Sequence, residues 1–188
     1  MSQKHIERLG FNLVSTENTE YLIGIRQKWY WDCIMTKLTQ LVIVRTVETL
    51  TLDIMEQDRI FLEEKAKSLD PSRLPKGMQK GSAIIMCYKA KEVTPAAKSR
   101  CIEKPNVRFA FFYVPAALET STGECHYVKS TPVWGAIYYA KFRFIIRQVL
   151  EQEAPRDTEP LSKIGLSITL FLFFVISLQI ILLSLMIF

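Results

Sequence analysis

The stretch Gln40-Leu-Val-Ile-Val-Arg-Thr-Val47 decides the fold, because aliphatic and β-branched residues follow one another with little polar alternation. Such a run is typical of a central strand that is covered on both faces of its sheet. We therefore expect this stretch to lie in the middle of a sheet, with helices packed on either side.

Further strands and helices follow outward from this stretch. The pattern predicts strands over 11–15, 21–25, 82–88, 107–114 (ended by Pro115) and 124–128, and helices over 1–9, 52–69, 94–103 and 133–152. This alternation indicates an α/β fold, a mixed α+β sandwich of about five strands with covering helices. A right-handed crossover through the 52–69 helix makes its flanking strands parallel, whereas the N-terminal pair is expected to be antiparallel.

The C-terminal segment differs in composition from the rest of the chain. All 24 basic and 19 acidic residues lie between Lys4 and Lys163, and segment 164–188 has no charged side chain. A helix of this length extends about 37 Å, against a hydrocarbon core of about 30 Å. Because the segment is apolar all round, a transmembrane helix is favoured over a buried core helix.

The flanking charges predict how this helix is oriented. Arg156 and Lys163 precede it, and the N-terminal residues do not resemble a signal peptide. Positive charge tends to stay on the cytosolic side. The sequence thus predicts an integral, single-pass, tail-anchored membrane protein, with a cytosolic α/β domain (1–153), a proline-containing linker (154–162) and a transmembrane anchor (163–188) in contact with membrane lipid.

Basic residues are concentrated in two parts of the domain. The segment 71–108 has nine bases against two acids; the bases are Arg73, Lys76, Lys80, Lys89, Lys91, Lys98, Arg100, Lys104 and Arg108. A membrane-proximal set consists of Lys141, Arg143, Arg147, Arg156 and Lys163. Such bases can bind anionic lipid headgroups or a protein partner, or form a solvated face. Nucleic acid is not favoured, because no recognition motif accompanies the charge.

The sequence contains few patterns that are typical of catalytic or metal-binding sites. The four cysteines lack the close spacing of a zinc site, and Cys125 and His126 are neighbours on a predicted strand, where they point to opposite faces. We therefore expect no metal ion, no cofactor and no catalytic residue.

Two carboxylates support an alternative. Asp32 precedes the central strand and Glu48 follows its apolar run, so the two could hold a divalent ion for phosphodiester hydrolysis. The order of hairpin, central strand, helix and strand coarsely resembles restriction-endonuclease-like folds. However, the acid-x-Lys pattern of those folds is absent from the central strand, and solvated carboxylates at strand ends are the favoured interpretation of both residues.

The sequence therefore favours a binding or scaffold module at a membrane surface, with a protein or anionic lipid as partner. The alternative is a membrane-tethered, metal-dependent hydrolase with a nuclease-like domain. Self-association of the anchor and the enzymatic status of the domain remain open at this point.

Overall fold

The computed structural model describes residues 3–14, 20–33, 36–68, 80–104, 111–131, 135–151 and 163–187. The strands are β1 (Asn12–Val14), β2 (Tyr21–Tyr30), β3 (Thr36–Leu50), β4 (Lys80–Val93), β5 (Phe111–Glu119) and β6 (Glu124–Tyr127). The helices are α1 (Gln3–Arg8), α2 (Leu52–Ser68), α3 (Pro95–Ile102), α4 (Ala136–Ile146) and α5 (Lys163–Ile187). A 3₁₀ turn (Trp31–Cys33) links β2 to β3, and a π-helical turn (Arg147–Glu151) extends α4.

The six strands form one mixed sheet in the order β1-β2-β3-β4-β5-β6. The strands β3, β4 and β5 are parallel to one another, whereas β1, β2 and β3 form an antiparallel meander and β6 is antiparallel to β5. The parallel pairing around α2 and the antiparallel N-terminal pair are confirmed. All six predicted strand segments contribute to this sheet, which is one strand larger than the sheet of about five strands that was expected.

Helices cover both faces of the central strand β3, as the sequence predicts. Val42 and Val44 pack into a core with residues of α1 and α4. Leu41 and Ile43 point the other way, into a second core with residues of α2 and α3. The described domain is thus a three-layer α/β/α sandwich with β3 buried between its outer layers.

The strand predicted over 107–114 is wrong at its C-terminal end. Pro115 lies inside β5, opposite Met86 of β4, and the strand continues to Glu119. Proline lacks a backbone N–H and is tolerated in a strand where one side is unpaired. The pairing of β5 with β6 begins only at Ala116, one residue later.

The predicted anchor corresponds to a helix, since α5 covers all but the last residue of the segment. Among the described residues, no helix combines the length and the hydropathy that a bilayer crossing requires. The transmembrane assignment of α5 therefore stays a prediction. The linker predicted over 154–162 lies outside the described residues.

A glycine fixes the close approach of α4 to the sheet. Gly135 precedes α4 with φ +73, and a Cβ built there would overlap the ring of Phe112, 2.9 Å from its Cζ. That ring packs among Tyr138, Tyr139 and Phe142 of α4. Position 135 therefore requires glycine both for its backbone angle and for the space.

We expect Gly135→Ala to lower the free energy of unfolding by about 2–5 kcal/mol, because left-handed strain and overpacking add. The control is Gly123→Ala, which has a similar φ of +76 but no atom near the added Cβ, so only the backbone strain of about 1–2 kcal/mol remains. Urea denaturation of the detergent-solubilised protein measures both. Equal losses would contradict the close contact with Phe112.

Candidate functional site

The two carboxylates of the hydrolase alternative lie at opposite ends of β3. Asp32 is in the 3₁₀ turn before the strand, and Glu48 is exposed near its C-terminal end. Twelve residues of strand from Thr36 to Glu48 extend about 40 Å. The structure therefore does not bring Asp32 and Glu48 together around one ion.

Asp32 is instead part of a buried ion pair. Its Oδ2 accepts a hydrogen bond of 2.8 Å from Lys141 Nζ, and both side chains are 2 % exposed. The ammonium also lies 4.5 Å from the centre of the Tyr30 ring. Lys141 was expected at the membrane-proximal surface, and this expectation is wrong, because the lysine turns inward to neutralise a carboxylate of the same core.

A second polar group fills the neighbouring part of that core. Arg26 donates from Nε to Gln40 Oε1 at 2.6 Å, and from its terminal nitrogens to the Leu9 carbonyl at 2.6 Å and to the Tyr30 hydroxyl at 3.1 Å. Its guanidinium also lies 4.3 Å from the centre of the Phe11 ring. These contacts tie α1 and β1 to the sheet, so Arg26 has a structural role.

The basic residues of segment 71–108 that the structure describes do not all lie together. Lys80 begins β4 and the exposed Lys91 lies near its other end, so strand geometry separates them by about 35 Å. The other described members of the set are Lys89, Lys98 and Arg100, which are half-buried, and Lys104, which is exposed. Arg73, Lys76 and Arg108 lie outside the described residues.

The other described members of the membrane-proximal set lie on α4, on its π-helical extension and on α5. Arg143 is half-buried and donates to the Ser130 carbonyl and to the Thr131 hydroxyl, both at 3.1 Å. Arg147 is half-buried in the π-helical turn, Lys163 is exposed at the first position of α5, and Arg156 lies outside the described residues.

A carboxylate–histidine cluster closes the far end of the sheet. The ligand atoms of Glu119, Glu124 and His126 lie within 4.8 Å of one another. Lys98 already donates to Glu119 Oε2 at 2.8 Å, and the Val93 N–H donates to the other oxygen at 3.0 Å. A metal ion would have to displace this lysine, so we interpret the cluster as an ion-pair network that fixes α3 to β5.

A cleft of about 360 Å³ lies between α2, α3 and the start of β5. Three acids and three bases line it: Glu56, Arg59, Glu63, Arg100, Glu103 and Lys104. Arg59 pairs with both Glu56 (2.7 Å) and Glu63 (2.9 Å). Because these charges compensate one another, the cleft offers no concentrated charge to an ionic substrate.

The end of the domain next to α5 carries exposed aromatic side chains. Trp29 and Trp31 are 52 % and 55 % exposed. The Thr169 hydroxyl of α5 lies 3.2 Å from the Trp31 carbonyl oxygen and 2.9 Å from that of Gly165. The sequence analysis did not single out these tryptophans as site residues. It also passed over Lys28, which is adjacent in sequence and exposed.

In comparisons with known proteins, no family model matches the sequence, and no curated protein or solved structure matches it either.

Breaking the Asp32–Lys141 pair should destabilise the domain. Lys141→Met leaves a buried carboxylate without its counter-ion and should lower the free energy of unfolding by about 3–5 kcal/mol. The double variant Asp32→Asn, Lys141→Met should lose clearly less than the sum of the two single changes, as urea denaturation measures. Arg143→Met, on the same helix but half-buried, is the control. Strict additivity of the two changes would contradict a coupled pair.

The Glu119 network should make stability depend on acid pH. The Lys98 hydrogen bond, with the Val93 N–H and Thr122 hydroxyl, lowers the pKa of Glu119 from 4.5 to about 2. A lowered folded-state pKa contributes stability above pH 4.5 that is lost as the pH falls towards 2. In Glu119→Gln, the thermal midpoint should therefore fall less steeply over that range. Glu124→Gln, whose side chain is 65 % exposed, is the control; identical slopes in the wild type and Glu119→Gln would contradict this role.

Proposed function

We propose that this chain is a single-pass membrane protein whose α/β domain lies at the membrane surface and acts there as a binding module. The observation that supports this most is the exposure of α5. Leu170, Phe171, Phe173 and Phe174 are each more than half exposed. At 100° per residue these four side chains cover an arc of about 160°, and the exposed Leu172 and Ile176 lie on the other side of the helix, at about 200° and 240° from Leu170, so no single protein surface would cover them all.

Water is an unfavourable environment for this part of α5. Nine large apolar side chains are exposed between Ile168 and Ile180. At roughly 1 kcal/mol or more each, transfer to an apolar phase gains on the order of 10 kcal/mol. A hydrocarbon phase surrounds a helix on all sides, which a folded domain of this size does not do, and it therefore suits this helix best.

The length of α5 beyond its buried residues supports the same proposal. Gly165 and Thr169 are buried, and of the side chains from Leu170 to Ile180 all are exposed except that of Val175, which is half-buried. The helix continues from Leu170 to Ile187, and 18 residues extend about 27 Å, close to the hydrocarbon thickness of about 30 Å. We therefore place the start of the span at Leu170, two turns later than the sequence analysis does.

Two further features favour a binding module on the cytosolic side. Lys163 is exposed at the first position of α5, and Lys28 is exposed three residues before Trp31, whose carbonyl contacts α5, in keeping with the positive-inside tendency. The candidate catalytic carboxylates are far apart, and Asp32 is neutralised by Lys141. An anionic lipid surface or a protein partner therefore fits the described domain better than a substrate for hydrolysis does.

Alkaline carbonate extraction of membranes that contain the full chain tests the anchor. The wild type should remain in the membrane pellet. Ile176→Arg with Ile180→Arg should move the protein to the supernatant, since each arginine near the middle of a span costs about 2.5–3.5 kcal/mol. The control, Leu52→Arg with Ile60→Arg, changes two exposed apolar residues of α2 and should stay in the pellet. Extraction of the wild type, or retention of both variants, would overturn the proposal.

A further inference from the structure

The first two turns of α5 are attached to the domain. They pack against the 3₁₀ turn and α4. Gly165 and Thr169, one turn apart on the same side, are both buried, and the Thr169 hydroxyl is 3.2 Å from the Trp31 carbonyl. The residue that follows, Leu170, is 59 % exposed. Trp31 is therefore level with the point where α5 leaves the protein.

Tryptophans and lysines lie at this end of the sheet and at the first position of α5. We define the rim as Lys28, Trp29, Trp31, Lys37 and Lys163. Trp29 of β2 lies opposite Lys37, the second residue of β3. Lys28 and Lys163 are exposed, and Lys37 is half-buried. The rim therefore combines large amphipathic rings with cationic groups at one end of the sheet.

We infer that the rim is a lipid-docking surface that seats this end of the domain in the headgroup layer, with Trp29 and Trp31 at the boundary with the acyl chains. This inference rests on the proposed membrane anchor and adds the side of the domain that faces the bilayer. Tryptophan is enriched at that boundary, and lysine ammonium groups reach anionic headgroups from it.

Continuity with α5 selects a bilayer over a protein as the occupant. The exposed apolar surface of the helix begins at the level of the contact with Trp31, since Ile168 and Leu170 on either side of Thr169 are both exposed, so a membrane around the helix also meets the rim. The centres of protein–protein interfaces are depleted of lysine, whereas the rim has three. A membrane surface accommodates both features.

The docking side also determines which surfaces face away from the membrane. Ala90 of β4 lies beside Glu119 in the sheet and opposite Val47 of β3. Ten residues of strand separate Val47 from Lys37, about 33 Å along the sheet. The Glu119 network and the end of β4 therefore lie far from the headgroups, where a partner in solution can reach them.

Depth-dependent quenching in vesicles tests the inference. Full-length protein is reconstituted in vesicles of phosphatidylcholine and phosphatidylserine, with Trp134→Phe in all samples. Trp29→Phe or Trp31→Phe then leaves a single rim tryptophan. Lipids brominated near the headgroup end of the acyl chain should quench each rim tryptophan about twofold, and more strongly than lipids brominated near the methyl end.

The matched control places the only tryptophan at the other end of the domain. Lys91→Trp, in a protein with all three native tryptophans changed to phenylalanine, puts the probe on an exposed position near the end of β4. Its emission should not respond to brominated lipid and should remain fully accessible to aqueous acrylamide. The rim tryptophans should be protected from acrylamide.

Flotation of the same vesicles separates the two proposals. If the protein floats but the rim tryptophans respond to brominated lipid no more than the Lys91→Trp probe, the docking inference is overturned and the anchor stands. Protection from acrylamide without lipid quenching also overturns it, since a protein then covers the rim. If the protein does not float, the anchor and the docking surface both fail.

Discussion

The structure depends on the burial of β3 on both of its faces. Val42 and Val44 enter one core, and Leu41 and Ile43 enter the other. A strand without a solvent face stabilises the fold only if a helical layer covers each side. That requirement accounts for α1 and α4 on one face, for α2 and α3 on the other, and for the parallel strands β4 and β5 beside β3.

The same burial explains why the polar residues next to β3 are paired with one another. A buried charge is costly unless it is paired and hydrogen-bonded. Asp32 is therefore matched by Lys141, and Arg26 by Gln40, Tyr30 and the Leu9 carbonyl. On the other face, Asp58 accepts hydrogen bonds of 2.6 Å from Arg45 and from the Tyr21 hydroxyl, and burial with this contact raises the pKa of Tyr21 to about 12. These groups hold the layers of the domain together.

Local pattern was sufficient for the elements and insufficient for the candidate site. Thr51 and Thr94 accept hydrogen bonds at the first turns of α2 and α3, and Tyr138, Phe142, Ile145 and Val149 are buried along α4 and its π-helical extension, because caps and helical spacing are properties of neighbouring residues. The same reasoning failed at Pro115, because whether a proline is tolerated inside β5 depends on where β6 begins to pair with that strand. It also failed at Lys141, because its partner Asp32 is 109 residues away in sequence.

The sequence alone determined the alternation of strands and helices, the central position of 40–47 and the separation of a charge-free C-terminal helix from a charged domain. Each of these follows from the composition and periodicity of adjacent residues, which act through local geometry and through water. Only the tertiary structure decided that Asp32 and Glu48 are apart, that Lys141 is buried, and that Trp31 lies beside the point where α5 leaves the domain. Those facts depend on how distant segments pack, and no local pattern encodes the distance between them.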